Sequence, residues 1–282
     1  MSHTRLLLLL PLCALAASAQ WLNFPTPGAP RTRDGKVNLS GPAPRTRDGK
    51  PDLSGIWHVQ PTSLGEMKRL YGAGVSTVEV PGMEADTISK YAVNILLDFK
   101  PEDSPLRPEG ARVAASRAPG TNPADSCLPI GIPATALVSE PNKVIQAPAV
   151  TVIIYESDGS HRRIYTDGRA LPKDPKDFPQ PAWLGYSVGR WEKDVFVVES
   201  AGFNDKTWLD LMGHPHGEDL RVTERYHRRD YGHLDTEMTF TDPQYYTKPI
   251  TIKFTQELWP DTDILEYFCN ENEKDRAHTA SR

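Results

Sequence analysis

Residues 234–258 read Leu234-Asp-Thr-Glu-Met-Thr-Phe-Thr-Asp-Pro-Gln-Tyr-Tyr-Thr-Lys-Pro-Ile-Thr-Ile-Lys-Phe-Thr-Gln-Glu-Leu258. Two period-two runs flank a polar, proline-containing break. Leu234, Thr236, Met238 and Phe240 alternate with Asp235, Glu237 and Thr239. Ile250, Ile252, Phe254 and Leu258 alternate with Thr251, Lys253, Thr255 and Glu257. A two-residue period puts one set on each side of a pleated strand, so both segments are strands with one buried face and one wet face.

Working outward, the same pattern recurs. Val144 to Gln146 and Val150 to Tyr155 are apolar strand candidates. After the Ser157–Ser160 turn, His161 to Thr166 returns. Tyr186 to Val188 and Val195 to Ser200 flank a turn at Arg190–Lys193. Leu220 to Arg228 turns at Asp230–Gly232 into Leu234–Thr241. Ile250 to Leu258 turns at Pro260–Asp263 into Ile264–Phe268, and residues 56–59 supply one more strand. Hairpins in series with tight polar turns predict an antiparallel meander. Eight or more such strands leave two open edges unless they close, so the fold class predicted is all-β, an antiparallel up-and-down barrel. Proline, at 26 of 282 residues, opposes long helices.

The rest of the chain organises around that barrel. Residues 1–19 have the form of a secretory leader: Arg5, an apolar run from Leu6 to Ala17, and Ala17-Ser18-Ala19 before the predicted cut. Cleavage places the protein in the periplasm or outside the cell. It also removes Cys13, leaving Cys127 and Cys269, a pair expected to form a disulfide there. Residues 20–54 form an extended arm in which Pro30-Arg-Thr-Arg-Asp-Gly-Lys-Val-Asn-Leu-Ser-Gly41 is repeated as Pro44-Arg-Thr-Arg-Asp-Gly-Lys-Pro-Asp-Leu-Ser-Gly55. The barrel domain is assigned to residues 55–272, with an insertion at about 60–142 and a polar tail at 273–282. In the insertion, Glu66–Tyr71 and Ala85–Phe99 are expected to be helical and Lys100–Thr135 a loop. The net charge of −5 carries no basic stripe, which argues against nucleic acid as a partner. No later segment is apolar for 18 residues, so no membrane span is expected after the leader. The oligomeric state is not encoded in these patterns.

Gly55-Ile-Trp57 at the first strand resembles the Gly-x-Trp opening of lipocalin-like barrels, whose Trp plugs one end. The chain also resembles a family of uncharacterised secreted bacterial proteins. The matching pieces include Asp48-Gly-Lys-Pro-Asp-Leu-Ser-Gly-Ile-Trp57, Gly185-Tyr-Ser-Val-Gly-Arg-Trp191, Gly202-Phe-Asn-Asp-Lys-Thr-Trp-Leu-Asp210, Gly213-His-Pro-His216, Glu224-Arg-Tyr226 and Glu266-Tyr-Phe-Cys269. The resemblance implies a lipocalin-like, calycin-type barrel and carries no assigned activity.

Candidate functional groups concentrate between two strands. Asn204, Lys206, Trp208, Asp210, His214 and His216 lie in one loop, where a rigid sheet can present binding groups at a barrel rim. His214 and His216, two residues apart, could chelate a transition metal such as zinc, with Asp210 or Glu218 as third ligand. The alternative is a loop whose imidazoles bond to backbone. Glu224 shares the interior face with Leu220, Val222 and Tyr226. It is either an acid–base group or half of an ion pair with Arg169 or Arg190. Gln256 also lies on an apolar face and could bond a ligand. The expected function is binding of a small, partly apolar molecule in the barrel mouth. One alternative is a periplasmic hydrolase, lyase or isomerase using His216 and Glu224, with Asp210 a further candidate. Another is a structural envelope protein.

Overall fold

In the computed structural model, the residues described are 24–72, 87–118, 120–174, 177–178 and 180–269. Residues 1–19, read above as a leader, and the polar tail at 273–282 lie outside them. Nine strands close into a barrel in chain order: β1 (Gly55–Val59), β2 (Asn142–Ala147), β3 (Val150–Tyr155), β4 (His161–Tyr165), β5 (Tyr186–Glu192), β6 (Val195–Ala201), β7 (Arg221–Arg228), β8 (His233–Thr241) and β9 (Ile250–Leu258). The alternation read from β8 and β9 holds: Leu234, Thr236, Met238, Phe240, Ile250, Ile252 and Leu258 are all buried.

One neighbour pair departs from the expected antiparallel order. Strict alternation of direction around a closed ring requires an even number of strands, and nine is odd. The parallel contact falls between β4 and β5, which share two registered pairs, Ile164 with Ser187 and Tyr165 with Val188. A parallel neighbour needs a long return, and residues 166–185 provide it.

The predicted strand at Ile264–Phe268 is absent. β1 already occupies the free ladder of β9, pairing Trp57 with Leu258 and Val59 with Gln256. The chain after β9 therefore leaves the sheet. Leu265 donates its amide to the Glu156 carboxylate at 2.7 Å, and Cys269 forms a disulfide with Cys127.

Among the described residues, three α-helices lie in the insertion: α1 (Leu64–Tyr71), α2 (Lys90–Val93) and α3 (Pro108–Ser116). α1 matches the expectation. Of the helix expected over Ala85–Phe99, residues 85 and 86 lie outside the described residues; in the rest one turn forms, because Asn94 is extended at φ −148° and the next amide, Ile95, donates to Asp210 instead. Its apolar set, Ile88, Tyr91, Ala92, Ile95 and Leu96, is buried all the same. α3 forms where a loop was expected. Pro108 opens it, with its fixed φ and missing amide at the position that needs neither, and Glu109 sits in the positive first turn.

The two arm copies build the same small hairpin twice. Thr32 donates its hydroxyl to Lys36 O at 3.0 Å, and Thr46 does the same to Lys50 O at 3.0 Å. Arg31 grips Asp261 through two nitrogens at 2.7 and 3.0 Å, and Arg45 grips Asp194 at 2.8 and 3.1 Å. Asp194 is in the β5–β6 turn and Asp261 just beyond β9, so the copies clamp the same end of the barrel. The first copy also meets the β7–β8 turn, where Tyr231 and Gly232 donate amides to Gly41 O and Leu39 O, both at 2.7 Å.

Trp57 closes that end from within. It is fully buried and its indole donates to Leu53 O at 2.9 Å. The Arg228 guanidinium lies 4.8 Å from the Trp57 ring and donates to the carbonyls of Asp52 and Tyr231. Gly55, at φ +147°, is required here: a Cβ would sit 2.6 Å from Leu258.

Candidate functional site

The barrel interior is filled. On β4, Ile164 and Arg162 share a parity, so Arg162 points inward. Its Nε donates to Ser187 on β5 at 2.9 Å, its Nη2 to Ser200 on β6 at 2.6 Å, and its Nη1 to Glu224 on β7 at 3.0 Å. Nη2 also pairs with the second Glu224 oxygen, and the Tyr226 hydroxyl donates to Glu224 at 2.6 Å. Neither charged side chain is more than 1% exposed. Burial works against the Arg162 charge, but the Glu224 carboxylate outweighs it and raises the guanidinium above its ordinary value. Burial first, and then the Glu224 charge, push the Tyr226 phenol well up, so it stays a donor.

Glu224 is thus interior, as its face predicted, and half of an ion pair. Its partner is Arg162, not Arg169 or Arg190. Arg169 pairs with Asp167, and Arg190 with Glu192 and Glu199, all outside the barrel. Gln256 accepts from Asn142 and donates to Thr236, both at 3.1 Å. The space left among Asn142, Thr151, Tyr155, Tyr226 and Gln256 is about 20 Å³, room for one water. A ligand of ordinary size has no place inside.

The 204–219 loop separates into parts with different work. Asn204 accepts the Lys206 amide at 3.2 Å, and the Lys206 ammonium lies 5.7 Å from the Trp183 ring, on the outside. Asp210 is buried and takes three donors: the Ile95 amide at 2.9 Å, the His214 amide at 3.2 Å and His214 Nδ1 at 2.5 Å. It ties the turn to the end of α2. Glu218 is exposed.

His216 faces elsewhere. Its Nδ1 lies 3.2 Å from Gly217 O, an acceptor, so Nδ1 carries the proton and Nε2 accepts from the Thr207 hydroxyl at 2.6 Å. Burial holds its pKa below the ordinary histidine value. A hydroxyl on a neutral imidazole is the arrangement of nucleophile and base. Thr207, however, has no exposed surface, and even a Cβ at Gly131 would come within 2.6 Å of its oxygen. No substrate can approach it, and the pair acts as a strut. His214 and His216 therefore serve different partners. Among the described residues, no group of three or more His, Cys, Asp or Glu side chains is placed to hold a metal ion.

A true pocket lies between this loop and the insertion. Its volume is about 440 Å³, and among the described residues its lining comes from residues 92–138 and from Trp208, Asp210 and Leu211. Ala92, Ala118, Ala134, Ile130, Val138 and Leu211 give it apolar walls. Trp208 and Arg117 give it an aromatic face and a cation, with the guanidinium 4.9 Å from the indole ring. Arg117 is held by one bond, from Nη1 to Gly213 O at 2.8 Å.

No family model, no curated protein and no solved structure matches this chain. The reading of the site accordingly rests on its own chemistry. Among the described residues, no helix is long and apolar enough to cross a membrane.

The structure thus brings Trp208 and Asp210 to one pocket. It places His214 and His216 in its supports, Glu224 and Gln256 inside the barrel, and Asn204 and Lys206 elsewhere. Sequence reasoning missed Arg162 and Arg117. Arg162 was detectable, because it shares the parity of Ile164 within an otherwise charged run. Arg117 follows a helix that was read as loop, and nothing local marks it.

Proposed function

We propose that this is an exported, lipocalin-like barrel protein that binds one small, partly apolar molecule. The binding place is the pocket between the barrel-rim loop and the insertion, not the barrel lumen. The observation that carries this reading is the pocket itself. Its 440 Å³ falls within the roughly 300–1,000 Å³ of small-molecule sites, and its walls are apolar with a few polar groups. Leu211 and Met212 beside it are 45% and 53% exposed, an apolar lip on a loop that bonds Leu211 and Met212 amides to Ala92 O and Val93 O. Export is supported by the leader-like residues 1–19 and by the Cys127–Cys269 disulfide, a bond that persists in oxidising compartments. Lipocalin likeness is supported by Gly55-Ile-Trp57 and by the Trp57 plug. An enzyme using His216 with Glu224 is not favoured, since each is committed to its own buried network.

The test is native mass spectrometry of the mature protein purified from the periplasm without chelators. An organic mass excess is expected in the wild type and absent in Ala134→Phe, which fills the pocket. An excess that survives Ala134→Phe and Trp208→Ala unchanged would remove the pocket from the reading.

A further inference from the structure

We infer that the pocket selects a carboxylate carried on a flat apolar body, with Arg117 holding the carboxylate and Trp208 facing the body. This rests on the binding reading above and narrows it to a ligand class.

Consider first the charges around the pocket. Among the described residues, Arg117 is the one cation of the lining, half-buried, and none of their carboxylates lies within ion-pairing distance of it. Two acids share the lining, but both are engaged. Asp210 accepts three donors from Ile95 and His214, and Asp125 accepts the Asn122 amide at 2.9 Å. Of the guanidinium's five N–H groups, the bond to Gly213 O uses one. The planar fork matches a carboxylate bidentately, which an ammonium cannot do.

Geometry supplies the second half. Resting against the Trp208 ring and tied to Gly213 O, the guanidinium is already held in place. A ligand then loses little by ordering it. Among the described residues the indole is the one aromatic ring in the lining, and Ala92, Ala118, Ala124 and Ala134 share that lining with it, so a planar apolar group can meet the ring without large side chains in competition. Burial lowers the pKa of Arg117, with Asp210 only partly restoring it. A carboxylate entering the pocket relieves a charge that no acid of the described residues pairs.

The test uses isothermal titration calorimetry with matched probes: benzoate, 2-naphthoate and indole-3-acetate, their neutral amides, and 2-naphthylmethylamine. At least one carboxylate is expected to bind the wild type tenfold or more tighter than its amide. Arg117→Gln should abolish that preference while the amide affinity stays the same, and Arg117→Lys should restore part of it. Circular dichroism on each variant separates loss of binding from loss of fold. Equal binding of acid and amide, lost in Trp208→Ala, would keep the pocket and overturn the carboxylate. Preference for the amine would also overturn it. Failure of every probe would overturn both the ligand class and the pocket reading.

Discussion

Arg162 and Glu224 show what a charge does inside a closed barrel. Each alone would be an uncompensated ion in a dry interior, so they are retained together or not at all. Arg162→Met is expected to lower stability by about 3–5 kcal/mol in urea unfolding, because it strands Glu224. The double variant Arg162→Met/Glu224→Leu should recover most of that loss. A double variant as unstable as the single would mean that the serines and Tyr226, not the ion pair, dominate. His58 poses the opposite case. Its ring stacks 4.4 Å from Trp259, and its Nε2 is buried without a hydrogen bond. Burial outweighs the bond to Val59 and pushes its pKa down to about 4, while the unfolded value is 6.5. The unfolded chain therefore binds more protons between those values, so stability falls as pH drops from 6.5 towards 4. His216 shifts in the same direction. Melting temperatures measured in steps across that window should fall more steeply for the wild type than for His58→Phe, and parallel curves would refute the assignment.

Among the elements, the strands were legible because their pattern is local. Leu234–Thr241 and Ile250–Leu258 each declare their buried side within eight or nine residues, whereas Val150–Tyr155 is apolar on both faces and buries Thr151, Ile153 and Tyr155. What was not legible is which strand closes the ring, since β1 and a segment after β9 compete for one ladder and the winner depends on distant packing. The parallel β4–β5 contact was hidden for the same reason. The pocket was legible only in its Trp208 and Asp210 half, and the Arg117 half depends on where α3 lands. The arm copies, which differ only at Val37-Asn38 against Pro51-Asp52 and form the same hairpin, do unequal work. The first adds surface ion pairs and two amide bonds, whereas the second delivers Leu53 and Asp52 to Trp57 and Arg228. A chain begun at residue 42 should fold with a lowered melting temperature, and one begun at residue 55 should not fold. Circular dichroism of the two truncations decides this, and equal behaviour would mean the copies are interchangeable.

At the scale of the whole molecule, the Cys127–Cys269 bond joins the segment that carries the pocket wall to the stretch after β9 across 142 positions. Closing a loop that long in the unfolded state corresponds to about 5 kcal/mol in the chain-entropy model. Cys127→Ser/Cys269→Ser is expected to lower stability by up to that amount. It should also weaken ligand binding, because Asn122, Ala124, Asp125 and Ile130 flank Cys127 in the pocket wall. Calorimetry with and without reductant measures both effects, and unchanged affinity would show that the wall holds without the tether.

The two-pair contact between β4 and β5 has a further consequence. A closed ring offers no strand to a stranger, but a ring that parts at its shortest join becomes a ribbon with two sticky margins. Arg162 reaches from β4 across that join to β5, β6 and β7. It is a clasp on that join, and a variant without it is expected to expose two margins open to pairing with a second copy.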